Sequence, residues 1–241
     1  MSEVLRPLTA RSVVLSTLLG AHPPRLPARS LVRVGQLFDI AEGTIRVALS
    51  RMVAAGDLTQ VDGDYQLTDR LRHRQSRQDS SRAPSTRRWR GTWEIAVVTA
   101  ARRPAADRTA FRQTMTELRL AELREGTWLR PDNLVRPRPA PVAEQCTFLT
   151  GRPESDDLAA TLWDLPGWAV RARSLHEALD RADDLATSFT VSAAVLRHFL
   201  ADPLLPDELL PADWPGARLR ERYEKFDASF QAMLRAHLGI P

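Results

Sequence analysis

Five side chains between positions 44 and 51 are of the types that read duplex DNA: Thr44, Arg46, Val47, Ser50 and Arg51. They share one face of a helical wheel, because Ile45, Ala48, Leu49 and Met52 recur at i, i+3, i+4, i+7 on the other. A helix that enters the major groove needs such a surface, slim and carrying hydroxyls and a guanidinium for base edges and phosphates. Arg46 and Arg51 are the candidates for base or phosphate contact, and Thr44, Val47 and Ser50 for close approach to base edges. An ordinary amphipathic helix with a solvated face has the same pattern, and these residues alone favour that reading. The elements on either side decide for DNA.

Thr44 is the expected N-cap of this helix and Gly56 its expected stop. Residues 8–20 predict a first helix, with Val14, Leu15, Leu18 and Leu19 inward, and the Pro-rich residues 21–27 a turn. A second helix is expected over 28–38, with Leu31, Val34 and Phe38 inward. Its outward Arg29 and Arg33 are candidate phosphate holders. Residues 39–43 then turn the chain into the third helix, which is helix-turn-helix spacing. Two short β-compatible runs, 58–61 and 65–68, flank Asp62-Gly63-Asp64 and read as a hairpin. Helix-turn-helix plus hairpin predicts a winged-helix DNA-binding domain over 1–78. The acidic wing tip would repel phosphate, so its expected role is to buttress the helices. Arg70, Arg72, Arg74 and Arg77 follow in a helix-like tail.

Residues 79–90 (DSSRAPSTRRWR) read as a linker. Beyond it the pattern predicts a strand over 91–100, a helix over 106–123, strands over 125–131 and 142–151, a helix over 156–165 and a closing strand over 168–173. That order predicts a small ferredoxin-like sandwich over 91–173. Residues 174–241 read as helical, ending in a stripe of Leu219, Tyr223, Phe226, Phe230, Met233 and Leu234 that is core or dimer contact. The fold class expected is therefore α+β.

Charge supports an N-terminal nucleic-acid module. Residues 1–90 hold 15 arginines against 8 acidic residues, +7, while the remainder of the chain carries −3. Lys225 is the only lysine, so genomic base composition also shapes the arginine use. One cysteine, Cys146, excludes an intrachain disulfide and fits a cytoplasmic protein. No apolar run approaches the ~20 residues of a membrane helix, and no secretory-signal pattern opens the sequence. The five histidines are scattered without metal-ligand spacing, and no glycine loop cradles phosphate, so neither a metal nor a cofactor is expected.

Three segments, EGTIRVALSRMVAAGDL, EGTWLRP and FLADPLLPDELLPADWPGARLRE, resemble the PaaX family of bacterial transcriptional regulators, in the same order along nearly the whole chain. The last segment is the most specific of the three. The resemblance implies a winged helix, a central Cas2-like ferredoxin fold, a helical C-terminal region that dimerises or binds effector, and a homodimer. It also implies release from DNA by an aryl-acetyl-coenzyme A thioester. An acyl-coenzyme A needs cations for its phosphates and an apolar slot for its acyl group. Trp128, Trp163 and Trp168 with Arg130, Arg171 and Arg173 are the candidates. Family wings often carry basic residues where this chain has Asp62 and Asp64.

The expected function is thus a sequence-specific regulator, a repressor on a palindromic operator, and not an enzyme. Two alternatives come from other classes. A Cas2-like nucleic-acid enzyme would need a carboxylate at the end of its first strand, where this chain has Val98-Thr99-Ala100-Ala101. The other is a protein-interaction module with DNA binding incidental.

Overall fold

The computed structural model describes residues 8–100, 105–154 and 157–239. The chain opens with α1 (Ala10–Gly20), β1 (Arg25–Pro27), α2 (Ala28–Gln36), α3 (Glu42–Ala54), β2 (Leu58–Val61), β3 (Asp64–Leu67) and α4 (Asp69–Arg82). Next come β4 (Trp93–Val98), α5 (Ala105–Glu117), β5 (Ala121–Arg124), β6 (Thr127–Pro131), α6 (Ala140–Ala143), β7 (Cys146–Gly151) and α7 (Leu158–Leu162). Last are α8 (Leu165–Arg181), α9 (Leu185–Phe199) and α10 (Gly216–Leu238). The class is α+β. No helix among the described residues is long and apolar enough to cross a membrane.

The chain forms two compact units, one of Met1–Arg82, Arg171–Phe199 and Pro215–Pro241, the other of Ala83–Val170 and Leu200–Trp214. This differs from the division expected at 78, 90 and 173. α4 runs four residues past 78, and the segment read as a linker is anchored within the second unit. There Thr86 bridges Leu134, and the Arg87 Nε donates to the Asp132 carbonyl (3.2 Å). The C-terminal helices, in turn, share a core with the N-terminal ones. Val13, Val34, Phe189, Phe230 and Leu234 make one buried cluster from α1, α2, α9 and α10, so most of the final aromatic stripe is core.

In the first unit, α1 begins in a capping box. The Ser12 N–H donates to the Thr9 hydroxyl (3.1 Å) and the Thr9 N–H to the Ser12 hydroxyl (2.8 Å). Residues Val14, Leu18, Leu31, Ile45, Leu49, Met52, Leu58 and Leu67 form the core under α1, α2, α3 and the hairpin. The sheet has three strands in the order β1-β3-β2, all antiparallel. Residues 25–27, within the expected turn, pair with β3 instead, because two extended residues before Pro27 lie beside its open edge. Gln75 ties α4 to α1, its Nε2 donating to the carbonyls of Leu19 and Ala21 (both 2.9 Å) at the end of α1.

The second unit has an antiparallel sheet in the order β5-β6-β4-β7. Its element order matches a β-α-β-β-α-β unit, but through other residues than expected. α5 ends at Glu117, where the anticipated helix ran to 123: Arg119 takes a left-handed φ of 61°. The Leu120 N–H then closes on the Met115 carbonyl (3.0 Å) and the Arg119 N–H on that of Thr116 (2.9 Å), a Schellman ending. The freed residues 121–124 become β5, paired with β6 through a turn at Gly126. The second helix is the short α6 before β7, so β7 itself closes the sheet. Residues 168–173, expected as the last strand, lie inside α8. Trp168, Ala169, Ala172, Leu175 and Leu179 are buried at helical spacing there. The expected helix over 156–165 is observed from Leu158 in α7; Asp156, like Ala101 in the strand-end argument, lies outside the described residues.

Candidate nucleic-acid interface

The surface of α3 is set by its buried side. Ile45, Leu49 and Met52 are each at most 1% exposed, and Thr44, Arg46, Val47, Ser50 and Arg51 all stand exposed opposite them. Val47 is 51% exposed. The helix starts at Glu42 with Ala41 at the N-cap, so Thr44 occupies the third helical position and is not the cap. Its hydroxyl is thereby left on the outer face. At the other end Gly56, φ 69°, ends the helix as the sequence implies. The Asp57 N–H bonds the Met52 carbonyl (2.9 Å) and the Gly56 N–H that of Val53 (3.0 Å).

Three features that the sequence did not disclose fix where α3 sits. The first is Gly35 in α2: a Cβ there would lie 2.6 Å from Cγ1 and 2.8 Å from Cδ1 of Ile45, so only glycine lets α2 and α3 cross this closely. The second is Asp57, whose carboxylate, 3% exposed, receives Arg11 of α1 (2.6 Å) and Arg70 of α4. That joins the first helix of the chain and the helix following the wing through one buried acid. The third is Arg25. Its Nε donates to Asp64 (2.7 Å) and its guanidinium lies 3.8 Å from Asp62, offsetting the negative wing tip. Asp62 and Gly63 both have positive φ, the geometry of a two-residue hairpin turn.

The cations divide into those turned outward and those with work inside the fold. Arg46 donates through Nε to Glu42 (2.7 Å) one turn earlier, both side chains more than half exposed. Such a pair contributes about 0–1 kcal/mol and opens readily toward a phosphate or base. Arg29 and Arg51 are exposed. Arg33, expected to hold a phosphate, instead donates to the carbonyls of His237 and Leu238 (3.0 Å to the latter) at the end of α10. The His237 Nε2 returns a hydrogen bond to the Arg33 carbonyl (2.9 Å). A cation there satisfies orphan carbonyls and the negative end of the helix dipole.

The four candidate effector residues of the second unit do not converge. Trp128 is buried with Ala96, Met115 and Leu118 on one face of the second sheet. Trp163 packs with Trp93, Ile95 and Leu129 on the opposite face, its ring 6.3 Å from that of Trp93. Trp168 stacks on Trp214 at 4.5 Å. Arg130 is 1% exposed and donates to the carbonyls of Pro131 (3.0 Å) and Leu204 (3.1 Å) and to the Asn133 side chain (2.8 Å). Burial lowers its pKa, and these acceptors keep the guanidinium charged. Its geometry is that of a structural anchor. Arg171 and Arg173 are exposed on α8, in the first unit. Among the described residues no group of three or more His, Cys, Asp or Glu side chains could hold a metal ion.

Two family models match the chain, both PaaX-like. Residues 9–71 match the model described as PaaX-like protein, and residues 167–239 that described as PaaX-like protein C-terminal domain. The chain is similar to a solved structure, the uncharacterized protein Rv0674 from Mycobacterium tuberculosis. Identity is 48% and the TM-score 0.81, over 95% of this chain and 98% of that one. No curated protein matches.

Proposed function

Because the chain belongs to the PaaX-like protein family, we propose that it is a transcriptional regulator that binds duplex DNA sequence-specifically as a homodimer. In this reading residues up to Arg82 form a winged helix, and the β5-β6-β4-β7 sheet is a ferredoxin-like, Cas2-like module. The observation that carries the proposal is the outer face of α3. Arg46, Arg51, Thr44, Ser50 and a half-exposed valine stand on a helix whose other side is locked into the core. Arg29 on α2 supplies a phosphate contact beside it.

The proposed action is repression in the cytoplasm. Two copies of α3 occupy successive major grooves of an imperfect palindrome, with half-sites ~10 base pairs apart or a multiple of that. A small-molecule effector, such as an aryl-acetyl-coenzyme A thioester, releases the operator by favouring a dimer geometry that does not fit it. No observation favours the nuclease alternative or a purely protein-binding role. Gel shifts on DNA flanking the gene, with and without candidate thioesters, test the proposal. Arg46→Ala should cost about 1–3 kcal/mol and relax preference at one base position if it pairs with guanine. A uniform loss on every sequence would make it a phosphate contact, and unchanged binding by both Arg46→Ala and Arg51→Ala would refute the role of α3.

A further inference from the structure

The first unit contains a cavity of about 230 Å³ between α1, α4, α9 and α10. Its lining is polarised. Leu15, Phe189 and Phe230 line it and are buried, while Arg11, Arg74 and Arg197 line it and are exposed. We propose that this cavity is the effector site, and that it takes a small amphiphilic anion: one aromatic-sized apolar body joined to a carboxylate, phosphate or sulfonate. The inference rests on the regulator reading and moves its effector away from the tryptophans of the second unit.

Three observations support it. First, three guanidinium groups from α1, α4 and α9, those of Arg11, Arg74 and Arg197, line the same cavity. Of the acids at the cavity, Asp227 is taken by Arg82 (2.8 Å), and Asp79 shares a hydrogen bond with the His22 ring (3.0 Å). Asp57 holds Arg11 and Arg70. Arg74 has no carboxylate within ion-pair distance among the described residues. Burial, and then the charges of Arg11, Arg197, Arg70 and Arg77, hold its pKa below the ordinary arginine value. Like charges kept together in this way are relieved by a bound anion, and guanidinium groups suit carboxylate and phosphate oxygens.

Second, the apolar end is aromatic. Phe226 and Phe230 stack at 5.8 Å, and Phe189 lies 5.3 Å from Phe230, a ring-lined wall that an aromatic guest extends. The volume sets the size. Sites for drug-sized ligands run to ~300–1,000 Å³, so this cavity admits one ring system and its anionic group, or the acyl end of a larger molecule.

Third, the walls belong to both ends of the chain. In the N-terminal segment α1 packs against α3 and α4 against α1, and α9 and α10 come from the C-terminal one. α10 also touches α2 through the Val34–Phe230–Leu234 cluster and the Arg33 bonds. A ligand that contacts all four helices therefore favours one packing of the helices beneath α3 over others, which is the differential affinity an effector needs.

The test uses the full chain and 8-anilinonaphthalene-1-sulfonate, an aromatic anion whose fluorescence rises on burial. Wild type should show one saturable site per chain, weakened by salt. Arg74→Gln should weaken it at least tenfold, and Ala193→Phe, which fills the lining from α9, should abolish it. Circular dichroism should be unchanged in both variants. Hydrogen exchange of the wild-type chain with the probe should slow in α1 and α9. No saturable site, equal affinity in all three proteins, or protection confined to residues 83–170 would overturn the inference. Duplex binding by the ligand-free chain is scored separately. A chain that binds DNA but shows no probe site refutes the cavity and spares the regulator reading. One that binds the probe with these variant effects but no duplex refutes the regulator reading alone.

Discussion

Replacing Gly35 by alanine adds one methyl group where α2 crosses α3. That carbon would sit 2.6 and 2.8 Å from two carbons of Ile45, whereas carbon contacts settle near ~3.5–4.0 Å. Ile45 is fully buried and cannot swing into solvent. The helices must therefore part by about 1 Å, or Ile45 must leave its rotamer. Overpacking of this kind costs about 1–3 kcal/mol, which for a chain of this length lowers Tm by roughly 2–4 °C per kcal/mol. Because the displaced element is α3, duplex affinity should fall by more than the unfolded fraction explains. A double-mutant cycle isolates the cause: Gly35→Ala combined with Ile45→Ala should be less destabilised than the sum of the two single changes. Thermal unfolding supplies the four stabilities and fluorescence anisotropy the DNA affinities. Additive stabilities, or a Gly35→Ala protein as stable as wild type, would refute the close crossing as the device that places α3.

Arg33→Ala should lower Tm by a few degrees, since it removes a charged cap worth ~0.3–1 kcal/mol from α10. It should leave the salt dependence of DNA binding unchanged, and a slope reduced by about 1 would restore Arg33 as a phosphate contact. Asp57→Ala frees Arg11 and Arg70 together and should cost about 1–3 kcal/mol in urea unfolding; a neutral result would show that the buried acid is no clamp. Arg130→Met should cost at least about 3 kcal/mol, because the carbonyls of Pro131 and Leu204 and the Asn133 amide oxygen lose a charged donor. A stable Arg130→Met protein that only lost effector response would return this residue to a binding role.

The parts of the fold legible in the sequence are those whose pattern is local. Ile45, Leu49 and Met52 announce α3 by spacing, and Asp62-Gly63 announces the hairpin by turn chemistry. The misread parts turn on one residue or on partners far away. WAVRAR alternates like a strand over six positions, and only the continuation to Leu175 and Leu179 shows the helical period. Arg119 ends α5 in a conformation that favours glycine, so nothing in its identity marks the break. Gly126, three residues beyond the expected helix, is the sign in the sequence that 121–131 is a hairpin. Of the site, the outer face of α3 could be read directly. Arg33 could not be assigned, because its acceptors lie over two hundred residues away in α10. The Arg11–Arg74–Arg197 cluster likewise brings together three helices with no common signal.

The central claim, that α3 reads sequence, is tested most directly by selecting bound duplexes from a random library with wild-type protein and with Arg46→Ala. The account predicts one recovered motif with two-fold symmetry for wild type, and degeneracy at a single pair of symmetry-related positions for the variant. Recovery of no motif by wild type, or of the same motif by both proteins and by Arg51→Ala, would contradict it.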